Sequence, residues 1–337
     1  MTRYTSSRTS RIFAAAGILA LLLLVTAPFY CGRSELYLLV EIFSYLALAS
    51  LWNLLAGYSG LVSIGQQAFI GLGGYSLFTL TMFAGVSPIL AIFLAGVIAA
   101  LFAVPTAWII FRLKGAYFAI GTWVVAEVYR LTFAQISVLG GGSGSSLPTQ
   151  VIQGIAPTRL IRDDLIYWTG LLLIVAVFAT IYLILRSRWG LALAAIRDSE
   201  PAAESVGVDN YRTKFLVYFL TAGATGSVGA LISLQKLRIS PDAAFSVNDW
   251  TALVIFIVVI GGIGRMEGPL LGTIIFFLLR EFFADWGPWY LMFLGLFAIV
   301  VTLAMPKGIA GLLADRFDFQ IFPLRRTVRL EKSYLVS

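Results

Sequence analysis

The chain has 337 residues, 59% hydrophobic and only 12% charged, with a net charge of +7 and a mean hydropathy of +0.91. Soluble domains carry about 25% charged residues, and one of this size could not cover so much apolar surface with so few polar side chains. The composition therefore specifies an all-α, polytopic transmembrane bundle. There is no histidine, and Cys31 is the single cysteine. That excludes Ser-His-Asp and Cys-His triads, His-based zinc sites, an intrachain disulfide and a cysteine metal cluster. The sequence contains no G-x-x-x-x-G-K-[ST], so the chain carries no phosphate-binding loop of its own. The positive charge does not call for nucleic acid; it fits the cytoplasmic excess of Lys and Arg in membrane proteins.

Ten apolar segments follow in order, at about 12–30, 36–56, 66–84, 88–111, 116–138, 164–185, 212–236, 250–264, 270–285 and 288–305. A helical crossing takes about 20 residues. The eighth and ninth segments are short and read either as spans or as parts of a broken one, which gives eight to ten crossings. With the N-terminus (1–11) inside, ten crossings place 17 Lys and Arg on the inner side and 5 on the outer side, an N-in, C-in arrangement in keeping with the positive-inside rule. The chain then divides into a cytoplasmic N-terminus (1–11), a membrane domain (12–305) with a cytoplasmic loop (186–211), and a basic cytoplasmic tail (306–337). The first segment starts like a signal peptide, but Thr26-Ala27-Pro28 is a poor cleavage site, and it reads as a retained span. The outer loop 139–163 contains Gly140-Gly141-Gly142-Ser143-Gly144-Ser145-Ser146, which reads as flexible.

Polar groups inside the spans come next. Asn53, at the end of the second segment, suits an interhelical hydrogen bond or a contact on a substrate path. Gln66 and Gln67 follow the glycines at 57, 60 and 65, and their amides could serve a polar ligand if the helix is broken there around a cavity. The alternative for this cluster, and for those at 223–229 and 261–272, is close helix packing through small residues. Glu127 lies eleven residues from either end of the 116–138 segment, about 16 Å from each face at 1.5 Å per residue. Arg130 shares its helix face. The two are either a polar station on a substrate path or a structural pair. Glu41 reads as interfacial, and Arg280 with Glu281 as a snorkelling or structural pair at the outer end of the ninth segment.

The loop 186–211 holds a short-helix signature. Asp198 and Ser199 are N-cap residues, Pro201 fits an opening turn, and Gly207 suits a C-terminal stop. A helix of two turns or fewer, about 200–206, is marginal alone. It either docks into a cytoplasmic partner or lies on lipid as a connector.

The stretch Leu51-Trp52-Asn53-Leu54-Leu55-Ala56-Gly57-Tyr58-Ser59-Gly60-Leu61-Val62-Ser63-Ile64-Gly65-Gln66-Gln67-Ala68-Phe69 resembles the first signature of branched-chain amino-acid ABC permeases, and more narrowly of their LivM-type subunit. Three further stretches fit: Arg112 to Ile120 with Glu127 and Arg130, Ala195 to Asp198 with Ala203 to Gly207, and Val259 to Gly264 with Gly268-Pro269. Pro306-Lys307-Gly308 fits as well, and together they cover about 36–312. The resemblance implies a second related permease subunit, two cytoplasmic ATP-binding subunits, a periplasmic substrate-binding protein and a bacterial inner-membrane location. It also implies that ATP is hydrolysed on another chain, so this one is neither an enzyme nor a cofactor carrier. The family's ATPase-coupling segment falls on Arg197, Asp198, Glu200, Ala203, Glu204 and Gly207. The substrate implied is a branched-chain or other apolar amino acid; urea and short-chain amide permeases share the pattern. An ion-coupled secondary transporter is the rival mechanism, in which Glu127 would relay ions and the chain would transport alone.

Overall fold

Long runs of Leu, Ile, Val, Ala and Phe with few breakers form helices, because in hydrocarbon each backbone group has to be satisfied within its own segment. The computed structural model describes residues 17–317, apart from 18, 157, 284, 285, 288 and 306. The N-terminal segment 1–11, Pro306 and the tail residues 318–337 lie outside the described residues. The helices are α1 (Leu19–Phe29), α2 (Arg33–Asn53), α3 (Gln66–Met82), α4 (Pro88–Ile110), α5 (Ala116–Ala134), α6 (Thr149–Ile155), α7 (Arg159–Arg186), α8 (Arg188–Asp198) and α9 (Glu200–Ser205). They continue with α10 (Asn210–Lys236), α11 (Pro241–Ala244), α12 (Leu253–Gly261), α13 (Gly268–Phe283), α14 (Trp289–Ala304) and α15 (Gly308–Phe317). Two π-helical turns, Leu54–Tyr58 and Val247–Ala252, extend α2 and lead into α12. Two-residue strands β1 (Ser145–Ser146) and β2 (Arg238–Ile239) pair antiparallel.

Each predicted apolar segment contains a helix, which makes the protein an all-α polytopic membrane bundle. Among the described residues, six helical stretches are long and apolar enough to cross a membrane on their own: Arg33–Tyr58, Pro88–Ile110, Arg159–Arg186, Asn210–Lys236, Pro241–Gly261 and Met292–Ala314. α3 and α13 are shorter, at 17 and 16 residues, and α5, a continuous helix of 19 residues, carries Glu127 and Arg130 among its apolar side chains.

α10 is the central helix, packed against α3, α4 and α2. Its small residues set the spacing. A Cβ added at Gly226 would lie 2.3 Å from Ala99 Cβ, and one at Gly229 would lie 2.2 Å from the Ile70 carbonyl oxygen. The facing surface of α4 is an alanine ridge in which Ala91, Ala95, Ala99, Ala103 and Ala107 are fully buried. The other side of α4 exposes Leu90, Val97, Leu101 and Trp108. Both sides are apolar, so residue size rather than polarity tells protein from lipid. This is the close packing the glycine clusters predict.

The connections gather at two ends. At one, α8 and α9 meet the turns at 57–65 and 262–267, Phe111 packs edge-on against Tyr211, and the start of α15 touches Gly262. This end carries Arg112, Lys114, Arg186, Arg188, Arg197, Arg212 and Lys214 and is called the basic end. At the opposite end Arg33 Nε pairs with Asp163 Oδ2 at 2.7 Å, β1 pairs with β2, and Arg280 Nη1 donates to Glu41 Oε1 at 2.7 Å.

Three expectations are revised. The glycine-serine loop is built rather than flexible: Gly140, Gly141 and Gly144 take positive φ values of 87°, 53° and 77°, and the chain pairs through β1 with β2. Arg280 joins Glu41 on α2, a cross-helix pair in place of a local one with Glu281. Helix α5 ends at Ala134 rather than 138, so Glu127 lies about 10 Å from the nearer helix end instead of about 16 Å. The described part of the segment 306–337 includes α15, which packs on α12 and α13 with Gly308 and Ala310 buried.

Candidate functional site

The basic end is assembled around α9. Ser199 caps it, its hydroxyl accepting from Ala202 N–H, and proline stands in the first turn. The stop is Gly207 at φ +88°, a conformation that side chains resist. Two side chains from α10 brace it: Asn210 Nδ2 donates to Glu200 O at 2.9 Å, and the Lys214 ammonium pairs with the Glu200 carboxylate. Only Ala203 of α9 is buried, while Glu200, Glu204 and the following Val206 and Gly207 face outward. A six-residue helix held this firmly, with one face exposed among the described residues, is a fixed projection at the protein surface.

Arg197, in the last turn of α8, connects this projection to the membrane core. Its guanidinium donates to Asp198 Oδ1 at 3.1 and 3.2 Å and to the Gly57 carbonyl at 3.3 Å. Gly57 belongs to the π-helical turn after α2, and a Cβ there would lie 2.5 Å from the Gly264 nitrogen. Two glycine turns, one following α2 and the other following α12, therefore touch backbone to backbone beside Arg197. Asn53 clamps them: its Nδ2 donates to Arg265 O and its Oδ1 accepts from Gly264 N–H, both at 2.8 Å. Both halves of the amide are used in tying the end of α2 to the turn after α12.

Gln66 and Gln67 open α3 and are buried. Gln66 Nε2 donates to Leu48 O at 3.0 Å, and Gln67 Oε1 accepts from the Thr251 hydroxyl. Gln66 Oε1 and Gln67 Nε2 have no partner among the described residues. The two amides thus tie α3 to α2 and to the second π-helical turn.

Glu127 and Arg130 are a bidentate pair, with Arg130 Nε and Nη2 donating to Glu127 at 2.6–3.0 Å. Arg130 Nη1 also reaches Asp242 Oδ1 on α11 at 2.5 Å. The side chains of Glu127 and Asp242 are 45% and 78% exposed. Among the described residues, α5 buries only Phe118, Thr122 and Ala126, and Ile120, Val124, Val128 and Leu131 flank Glu127 on the open side. Asp242, Asn210 and Lys214 were not found from sequence, because no local spacing links them to Arg130 or to α9.

A helical membrane bundle with a braced surface helix at its basic end fits the class of transport permease subunits, and the family match assigns it there. The family model described as branched-chain amino acid transport system / permease component matches residues 35–305, and the chain belongs to that family. It is 27% identical over 315 residues to the high-affinity branched-chain amino acid transport system permease protein LivM of Escherichia coli (strain K12), covering 87% of this chain and 74% of the relative. The LivM of Salmonella typhimurium is 26% identical with the same coverage. The fructose import permease protein FruG of Bifidobacterium longum is 24% identical over 60% of each chain. No solved structure is a significant match.

Proposed function

We propose that this chain is the membrane-spanning subunit of an ATP-driven importer that carries branched-chain amino acids across the bacterial inner membrane. ATP is hydrolysed on two cytoplasmic subunits, one of which docks on α9 at the basic end, the side where an excess of Lys and Arg supports a cytoplasmic location. A periplasmic binding protein delivers substrate at the opposite end. The observation that carries the reading is Arg197, which joins the exposed helix to the glycine turns where α2 and α12 end. A push on α9 then reaches two membrane helices at once. The experiment is to purify the intact complex and measure which solutes stimulate its ATPase. Leucine, isoleucine and valine should do so; stimulation by urea or acetamide alone would overturn the substrate. Uptake by vesicles containing this chain alone would overturn the mechanism.

The second permease subunit covers the open face of α5. A carboxylate turned to hydrocarbon costs about 2.5–3.5 kcal/mol even by insertion scales, so the half-exposed Glu127 faces protein or water, and the substrate path runs beside it. Glu127→Gln should lower uptake several-fold while leaving the amount of chain in the membrane unchanged. An equal loss of both, read by uptake and immunoblot, would make the pair structural.

A further inference from the structure

The periplasmic end contains a second polar constellation, separate from α5. Two small adjoining clefts meet at Trp250, one between α2 and α10 and the other between α3, α10, β2 and α11. Both are lined by Ile232, Lys236 and Trp250.

Three features set this place apart. The first is Lys236. Its ammonium stands 4.7 Å from the centre of the Trp250 ring, and no carboxylate lies within ion-pair distance among the described residues. Cations are disfavoured on this side of the membrane. Arg33 and Arg162 at this end are paired with Asp163, and Arg280 with Glu41, whereas Lys236, like Arg238 of the second cleft, has no ion-pair partner among the described residues and lies over the Trp250 ring. The second feature is Glu41. One carboxylate oxygen accepts from Arg280 and the other takes no hydrogen bond from the described residues, while its side chain is part of the same cleft. The third is the wall. Tyr45 and Trp250 stack with ring centroids 5.8 Å apart, and Ile232 lies beside them. Trp250 sits in the π-helical turn, a distortion that recurs at functional sites, and its indole N–H is fixed on Ala243 O at 2.8 Å.

An ammonium with no carboxylate partner among the described residues, a carboxylate with one oxygen unbonded among them and an aromatic-aliphatic wall in one cleft match an α-amino acid with an apolar side chain. We propose that this cleft is an acceptor site for such an amino acid within the permease itself. Lys236 takes the carboxylate, Glu41 takes the ammonium, and Tyr45, Trp250 and Ile232 take the side chain. The proposal deepens the reading of the chain as an amino-acid importer and rests on it for the direction of entry.

The test is protection from labelling in the intact complex, without the binding protein. Ser240 lines the second cleft, so Ser240→Cys in a Cys31→Ser background gives one thiol in this chain to follow with a maleimide. Leucine at ten times its dissociation constant should slow labelling by about tenfold, as mass action requires of an occupied site. Leucinol, which lacks the carboxylate, and 4-methylpentanoate, which lacks the ammonium, should protect far less. Lys236→Met should abolish protection by leucine, and Glu41→Gln should weaken it, with the labelling rate in the absence of leucine confirming that the cleft is still formed. No protection in a complex that imports leucine would overturn the site and leave the importer reading standing. A complex that imports no amino acid would overturn that reading, while the labelling result would still decide the site.

Discussion

Arg197→Ala should abolish most uptake while leaving the complex assembled and hydrolysing ATP. The guanidinium is the link from α8 to the Gly57 carbonyl, and Gly57 touches Gly264. The helix α9 keeps its own supports in the variant, namely the Ser199 cap, the Asn210 bond and the Lys214 pair, so an ATP-binding subunit would still find its docking surface. What is lost is transmission to α2 and α12. Coupling between sites is commonly worth 1–3 kcal/mol, about 5- to 150-fold, and a drop in leucine moved per ATP of at least about tenfold is expected. The measurement is uptake and hydrolysis on the same proteoliposomes. Parallel decline of the two, or loss of the ATP-binding subunits from the purified complex, would mean that Arg197 only holds the docking surface together.

Gly73→Ala should destabilise the whole bundle. A Cβ at this position would lie 1.9 Å from the Gly226 carbonyl oxygen and 2.6 Å from its carbon. The obstacle is backbone on the central helix, so no side chain can swing aside. α3 and α10 would have to separate, which would also disturb the contact of Gly229 with Ile70 and of Gly226 with Ala99. Overpacking of this kind costs about 1–3 kcal/mol, occasionally more. A lower thermal midpoint in detergent and a smaller monodisperse fraction should follow. Gly85→Ala is the control for handling, since a Cβ there meets nothing within 4 Å, although its φ of +64° carries a local cost of its own. Equal midpoints for Gly73→Ala and the wild type would show that the helices do not cross this closely.

Some of the candidate site was legible in the linear chain for local reasons. The Asp198-Ser199-x-Pro201 opening and the Gly207 stop are signals carried within ten residues, and α9 formed where they placed it. The Glu127–Arg130 pair is likewise a matter of helical spacing. The brace on α9, the third member Asp242 and the Lys236 cleft were not legible, because their partners come from other helices. Asn53 illustrates the boundary. Its residue type foretold an interhelical bond, but its partners are more than 200 positions away.

By itself the sequence determined that this is a helical membrane protein, where its helices lie, which end is basic and where the surface helix forms. Each of these depends on hydropathy, charge or a capping signal within a single segment. The tertiary structure alone decided which helices meet and which of two apolar faces turns to protein. In lipid both faces of a helix such as α4 can be equally apolar, and close approach of small residues replaces polarity as the organising force.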